Sequence, residues 1–219
     1  YVPYENPCGA YLTDFEYAMN PDAPKAYLNF EGVDSCFYVW LNGQYLGYSE
    51  VSHSTSEFDI TENVKEGKNT LAVMVLKWCD GSYLEDQDKF RTSGIFRDVY
   101  ILSRPENCIR DYFTTTLLDE EEATVRIRFA YNGDVTATKI KILNAAEKSV
   151  ATASVKAFEN GGVYTHQAVL TVKTPILWNP EQPYLYTLIL ETPDEVITDR
   201  IGLREIHIEN NTVFLNGDP

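Results

Sequence analysis

Positive charge is scarce in this chain. Eighteen Lys and Arg residues face 33 Asp and Glu, a formal net charge of -15. Binding to a phosphate backbone needs clustered Lys and Arg; no basic patch and no run of like positive charge is present, so a nucleic-acid partner is not expected. Long hydrophobic runs are also missing. No stretch approaches the ~20 apolar residues of a membrane helix, and no membrane partner is expected. No signal peptide is visible, and Tyr1 reads as the middle of a longer protein rather than a start. Histidine is rare, with His53, His166 and His207 far apart in sequence. No nucleophile triad or metal set can be built from three scattered histidines, and each is read as structural or exposed. The four cysteines, Cys8, Cys36, Cys79 and Cys108, are spaced too widely for a zinc motif. Buried thiols, not a disulfide frame, are the expectation, because a chain of this size buries enough surface without staples. Cys36 and Cys79 sit in apolar runs, where a thiol packs as a small hydrophobe. Helical periodicity over a long window is absent as well.

What remains is β-structure. A hydrophobic content of 44%, with 13% aromatic, supplies ample core. The runs Ala10–Tyr17, Ala26–Phe30, Ser35–Leu41, Gln44–Tyr48, Thr70–Trp78 and Ile95–Ser103 are short and rich in β-branched and aromatic residues. Asn42–Gly43 between two of them is the strongest local hairpin signal, Lys65–Thr70 is a second turn, and Ser56–Val64 is expected to hold a short helical turn around Thr61–Asn63. Arg104–Asn107 breaks the pattern and reads as a linker. Further strands are expected over Ile109–Leu117, Thr124–Tyr131, Ala137–Leu143, Ser149–Val155, Val163–Val172, Leu185–Glu191 and Val196–Ile208. Seven short strands with regular turns suggest an antiparallel sandwich of immunoglobulin type, here without its Cys…Trp…Cys pattern. The acidic run Asp119–Glu122 reads as a solvated hairpin end. Trp40 and Trp78 are expected in cores, and Trp178, among Pro175, Pro180 and Pro183, as the anchor of an irregular segment beside a neighbouring domain.

The stretch Trp78–Leu102 (WCDGSYLEDQDKFRTSGIFRDVYIL) carries more chemistry than a turn requires. It sets Asp80, Glu85, Asp86 and Asp88 beside Tyr83, Phe90 and Arg91, on a loop between two strands, where binding groups usually sit. The plain alternative is a solvated acidic loop. Asp80, Glu85 and Asp86 are expected to shape the loop, and Tyr83 and Phe90 to pack under it. Arg91, Arg97 and Asp98 are expected to form a partly buried ion pair.

Several segments resemble the glycoside hydrolases of family two, in that family's order. Glu31–Gly47 (EGVDSCFYVWLNGQYLG) and Ser56–Ile60 (SEFDI) are similar to its sugar-binding domain. Asp80–Val99 (DGSYLEDQDKFRTSGIFRDV) is similar to the β-galactosidase form of its signature. Leu177–Tyr186 (LWNPEQPYLY) and Gly202–Pro219 (GLREIHIENNTVFLNGDP) resemble later blocks, the last being the junction to a catalytic barrel. The resemblance implies an all-β chain: a partial galactose-binding-like jelly-roll sandwich over 1–105, an immunoglobulin-like β-sandwich over 106–208, and the start of a linker over 209–219. It implies a bacterial β-galactosidase that removes terminal β-D-galactosyl residues with retention, and leaves the compartment, cytoplasm or periplasm, open. The two catalytic glutamates would lie in a barrel beyond Pro219, so no catalytic residue is expected here and the chain alone is expected to be inactive. The first jelly-roll strands, with a substrate-contacting asparagine, would precede Tyr1; Asn6 is not that residue. Missing strands would expose unpaired edges, to be met by pairing between copies or by partial disorder. Asp88 is the one position carried over, as a ligand of the galactosyl hydroxyls and of a sodium ion. The parent is expected to use Na+ and Mg2+, the piece no cofactor. Its partners would be its own barrel, the galactoside and further copies of the parent. A free-standing carbohydrate-binding module and a cell-surface adhesion protein are the alternatives.

Overall fold

The computed structural model describes residues 4–84, 92–135, 137–158 and 162–219. They fall into two compact units, Tyr1–Glu106 and Asn107–Pro219, both built from antiparallel strands.

In the first unit the strands are β1 (Cys8–Tyr17), β2 (Lys25–Phe30), β3 (Val33–Asp34), β4 (Cys36–Leu41), β5 (Gln44–Ser49), β6 (Ser56–Asp59), β7 (Gly67–Leu76), β8 (Gly94–Ile95) and β9 (Val99–Arg104), with a single turn of helix, α1 (Asp80–Leu84), after β7. One sheet has the order β1-β7-β4-β5 and the facing one β6-β2-β9, while β3 and β8 form a two-stranded ribbon. Alternation explains the layering. In β7 Leu71, Val73 and Val75 are buried, and in β4 Phe37, Val39 and Leu41. Together with Ala26, Leu28 and Phe30 of β2 they form one core, knit by an aromatic trio with ring centroids 4.9 Å apart for Phe30–Phe37 and 6.0 Å for each of them to Phe58.

The β4–β5 turn follows from its sequence. Asn42 and Gly43 take φ of 53° and 82°, the two positive angles that a type I′ hairpin demands, and Leu41 pairs with Gln44. The Asn42 side chain also donates to Asn63 O at 3.0 Å and to Asn69 Oδ1 at 2.8 Å, and accepts from Thr70 N at 3.1 Å. Asn69, itself buried, closes the Lys65–Gly67 turn by donating to Lys65 O and Gly67 O and accepting from Lys65 N.

Among the described residues β5 and β6 each end a sheet, and so do β1 and β9. An open, largely apolar cleft of about 780 Å³ lies between β1 and β9, with Leu28, Phe30, Leu71 and Val73 on its floor.

Three expectations are corrected. The run Ile95–Ser103 is two strands: Ile95 pairs with Val33, but Val99 pairs with Phe30. Three residues, Phe96–Asp98, therefore oppose two, Glu31 and Gly32, a bulge bridged by Glu31 N to Asp98 O and Phe96 N to Gly32 O. The turn expected around Thr61–Asn63 is present, with Asn63 N and Val64 N both donating to Ile60 O, and Ser56–Asp59 before it is a strand. Trp40 is not core: it points to the outer face, its ring 5.6 Å from Tyr45 and 6.2 Å from Tyr38. Trp78 lies past the end of β7, half-buried, with Lys77 Nζ 5.4 Å from its ring.

The second unit contains β10 (Cys108–Leu118), β11 (Glu122–Asn132), β12 (Lys139–Leu143), β13 (Ser149–Ser154), β14 (Lys156–Ala157), β15 (His166–Lys173), β16 (Tyr186–Glu191), β17 (Val196–Ile201), β18 (Ile206–Glu209) and β19 (Thr212–Leu215). Sheets of order β10-β11-β15-β14 and β13-β12-β16-β17 enclose Val125, Ile127 and Phe129 of β11 against Ile140, Ile142, Leu188 and Leu190. This is an immunoglobulin-like sandwich, so the all-β expectation holds in both units. Asp119–Glu122 is the exposed β10–β11 turn, closed by Asp119 N to Glu122 O at 2.9 Å. Val196–Ile208 is again two strands. Gly202 interrupts it because a Cβ there would lie 2.8 Å from the Trp178 ring. Trp178 does anchor an irregular segment: its N donates to Leu203 O at 2.9 Å, and the Arg204 guanidinium lies 4.4 Å from its ring.

Candidate functional site

The acidic loop leaves the first unit at the end of β7 and returns at β8. Both ends are held by the same pair of residues, Asp34 and Ser35, between β3 and β4. On the outgoing side Ser35 N donates to Leu76 O at 3.2 Å and the Ser35 hydroxyl to Lys77 O at 2.7 Å. On the return side Asp34 pairs with Gly94. Gly94 is at φ 89°, and a Cβ there would run into the Tyr11 hydroxyl, so the backbone approaches β1 as only glycine allows. Asp34 is buried at 5% exposure, and its carboxylate lies 2.8 Å from the Ser35 hydroxyl. It also lines a hollow of about 310 Å³ together with Cys8, Tyr11, Lys77 and Ser93.

Within the outgoing arm, Ser82 ties α1 down. Its hydroxyl accepts from Cys79 N at 3.1 Å and donates to Ser35 Oγ at 2.9 Å. Asn6 brackets the preceding residue by donating to Trp78 O at 2.8 Å and accepting from Trp78 N at 2.9 Å. Asn6 thus ties the segment before β1 to the end of β7.

Beside this arm, the side chains of Glu50, Cys79 and Asp80 bring one ligand atom each within 4.8 Å of one another. Tyr48 donates its hydroxyl to Glu50 Oε2 at 2.7 Å; burial first, and that carboxylate second, push its pKa far above the tyrosine norm. Tyr48 also touches Cys36, whose thiol burial holds above the usual range and which meets Cys79.

Asp88, the residue singled out as a sugar and sodium ligand, lies outside the described residues, as do Glu85, Asp86, Phe90 and Arg91. Asp80 opens α1 and accepts from Gly81 N at 3.2 Å, a loop-shaping role. Tyr83 does not pack under the loop; it is 68% exposed. Arg97 and Asp98 are both exposed and so form no partly buried pair. Arg97 instead lies 5.4 Å from the Phe96 ring and reaches Glu31 O at 3.5 Å, while Asp98 serves through its backbone carbonyl. The histidines are dispersed, with His53 against Phe96, His166 against Tyr131 and His207 stacked on Phe214. Sequence reasoning passed over Asp34, Ser35, Ser82 and Glu50. Their one signal was position, flanking the apolar runs that the sheets bring together.

Comparison with known proteins fits this architecture. The family description "Glycosyl hydrolases family 2, sugar binding domain" matches residues 1–105, and "Glycosyl hydrolases family 2" matches residues 107–204. The chain belongs to glycosyl hydrolase family 2. Among curated family 2 relatives, a protein named beta-galactosidase from Actinobacillus pleuropneumoniae is 43% identical over 221 residues, covering 100% of this chain and 21% of its own length. Another of the same name, from Staphylococcus xylosus, is 45% identical over 99% of this chain and again 21% of its own length. The chain thus spans about a fifth of these relatives. Among solved family 2 structures, the beta-glucuronidase of an uncultured Clostridium sp. superposes with a TM-score of 0.81 at 25% identity, over 96% of this chain and 37% of that one.

Proposed function

We propose that this chain is the non-catalytic N-terminal portion of a β-galactosidase, and that its work is positional. The observation that carries the reading is identity of 43–45% to proteins of that name along essentially the whole chain, against 25% to a β-glucuronidase of the same fold.

In a retaining glycosidase one carboxyl group is acid and base and the other is nucleophile, about 5–5.5 Å apart. Both are assigned to the longer polypeptide. The contribution of this chain is Asp88: a carboxylate accepts hydrogen bonds from galactosyl hydroxyls and is a hard oxygen ligand for sodium. The Asp34–Ser35 clamp fixes the residues on either side of that loop. For magnesium, the Glu50 and Asp80 carboxylates fit. Mg2+ keeps several waters and takes one or two carboxylates, and these two converge from the residue after β5 and the first residue of α1; the Cys79 thiol is too soft to join them. The substrate class is terminal β-D-galactosides, and the chain's partners are its own catalytic domain and, through it, further copies of the parent.

The test is Asp88→Asn in the intact parent. kcat/KM for an aryl β-galactoside should fall at least ~100-fold, a loss of about 3 kcal/mol of transition-state binding, with unchanged Tm and weakened dependence on sodium. Unchanged kcat/KM would remove Asp88 from the site.

A further inference from the structure

Four cysteines are present and no disulfide joins them, yet two of them lie together. Cys36, the first residue of β4, is buried, and Cys79, three residues past Leu76, is half-buried. The sheet register sets Cys36 directly opposite Leu76. The chain then turns back over β4, held there by the Ser82 hydroxyl, which bonds Cys79 N and Ser35 Oγ and lies 3.7 Å from Cys79 Sγ. The register and the Ser82 bonds thus bring the Cys79 side chain beside the start of β4, near enough for its thiol to bear on that of Cys36. Neither is taken up by the roles assigned above. Cys8 also pairs with Leu76, from the other side. It therefore sits two strand spacings from Cys36, about 9–10 Å, beyond the ~7 Å between Cα atoms that a disulfide can span. Cys108 belongs to the other unit.

We propose that Cys36 and Cys79 form a dithiol that closes to an intramolecular disulfide, pinning the root of the acidic loop to β4. The oxidant is a small-molecule disulfide such as oxidised glutathione. The more accessible Cys79 sulfur attacks it, breaking its S–S bond and releasing one thiol, and a mixed disulfide remains on Cys79. Cys36 sulfur then attacks the Cys79 sulfur and expels the second thiol. The protein loses two electrons and two hydrogens, and the reagent gains them as two thiols. The new bond closes a loop of 42 residues along the chain, a long enough loop for the constraint to raise stability appreciably.

The experiment uses the 219-residue chain carrying Cys8→Ser and Cys108→Ser, so that only the pair remains. After incubation with oxidised glutathione, the chain is unfolded and alkylated without reductant. The expected result is no alkylated thiol, a mass lower by two hydrogens, a cross-linked Cys36–Cys79 peptide, and a Tm higher by several degrees that dithiothreitol reverses. Adding Cys36→Ser should leave a stable glutathione adduct on Cys79. Two alkylated thiols, or an adduct on Cys79 that persists while Cys36 is intact, would overturn the proposal.

Discussion

The Ser82 hydroxyl donates to the Ser35 hydroxyl at 2.9 Å across 47 residues of sequence. That bond joins α1 to the β3–β4 corner, and the same corner grips the end of β7 through Leu76 O and Lys77 O. The residues that lead into the stretch bearing Asp88 are therefore fixed to the sheet.

Ser35→Ala removes the acceptor of Ser82 and the donor to Lys77 O in one step, with both groups largely buried. Net hydrogen bonds contribute about 1 kcal/mol each, and a buried group left unsatisfied costs about 1–3 kcal/mol. Equilibrium urea unfolding should show the first unit destabilised by about 2 kcal/mol. In the intact parent the same substitution should raise KM for galactosides, read from initial rates at a temperature well below Tm.

Gly43→Ala tests the β4–β5 turn. The added Cβ would meet nothing within 4 Å, so the whole cost is conformational. An alanine held at φ 82° should lose about 1 kcal/mol, read as a lower denaturation midpoint at unchanged m-value.

Alkaline stability of the second unit should depend on Tyr112. Burial, and then its bond to Asp199 Oδ2 at 2.8 Å, push its pKa up to about 12. A tyrosine raised above its unfolded value near 10 favours the neutral folded form. Its contribution is complete below about pH 10 and is lost as pH rises toward 12. Tyr112→Phe should lower stability at pH 7 by about 1 kcal/mol and flatten its decline between pH 10 and 12, measured by chemical denaturation across that range.

The all-β fold was legible because its strands alternate plainly. In β7 buried and half-exposed residues follow one another from Asn69 to Leu76, and the Asn42–Gly43 turn carries its own signature. The breaks were not legible. Ile95–Ser103 and Val196–Ile208 look continuous because each half is apolar, and only pairing to different partners separates them; Gly32 and Gly202, each packed against an aromatic ring, were the overlooked marks. Trp40 was misplaced because CFYVWL is apolar on both faces, and periodicity cannot orient such a run. At the site, Asp88 was carried over by the family resemblance, since its acidic, aromatic company alone reads equally as a solvated loop. The residues that hold its loop were not legible, since Ser35 and Ser82 are ordinary residues until the sheet brings them together.

The account rests most heavily on division of labour between this chain and the rest of its parent. The direct measurement is hydrolysis of a chromogenic β-galactoside by the purified 219-residue chain and by the full-length parent, at equal concentration with sodium and magnesium present. Turnover by the parent and none by the chain is the predicted result; turnover by the chain alone would contradict it.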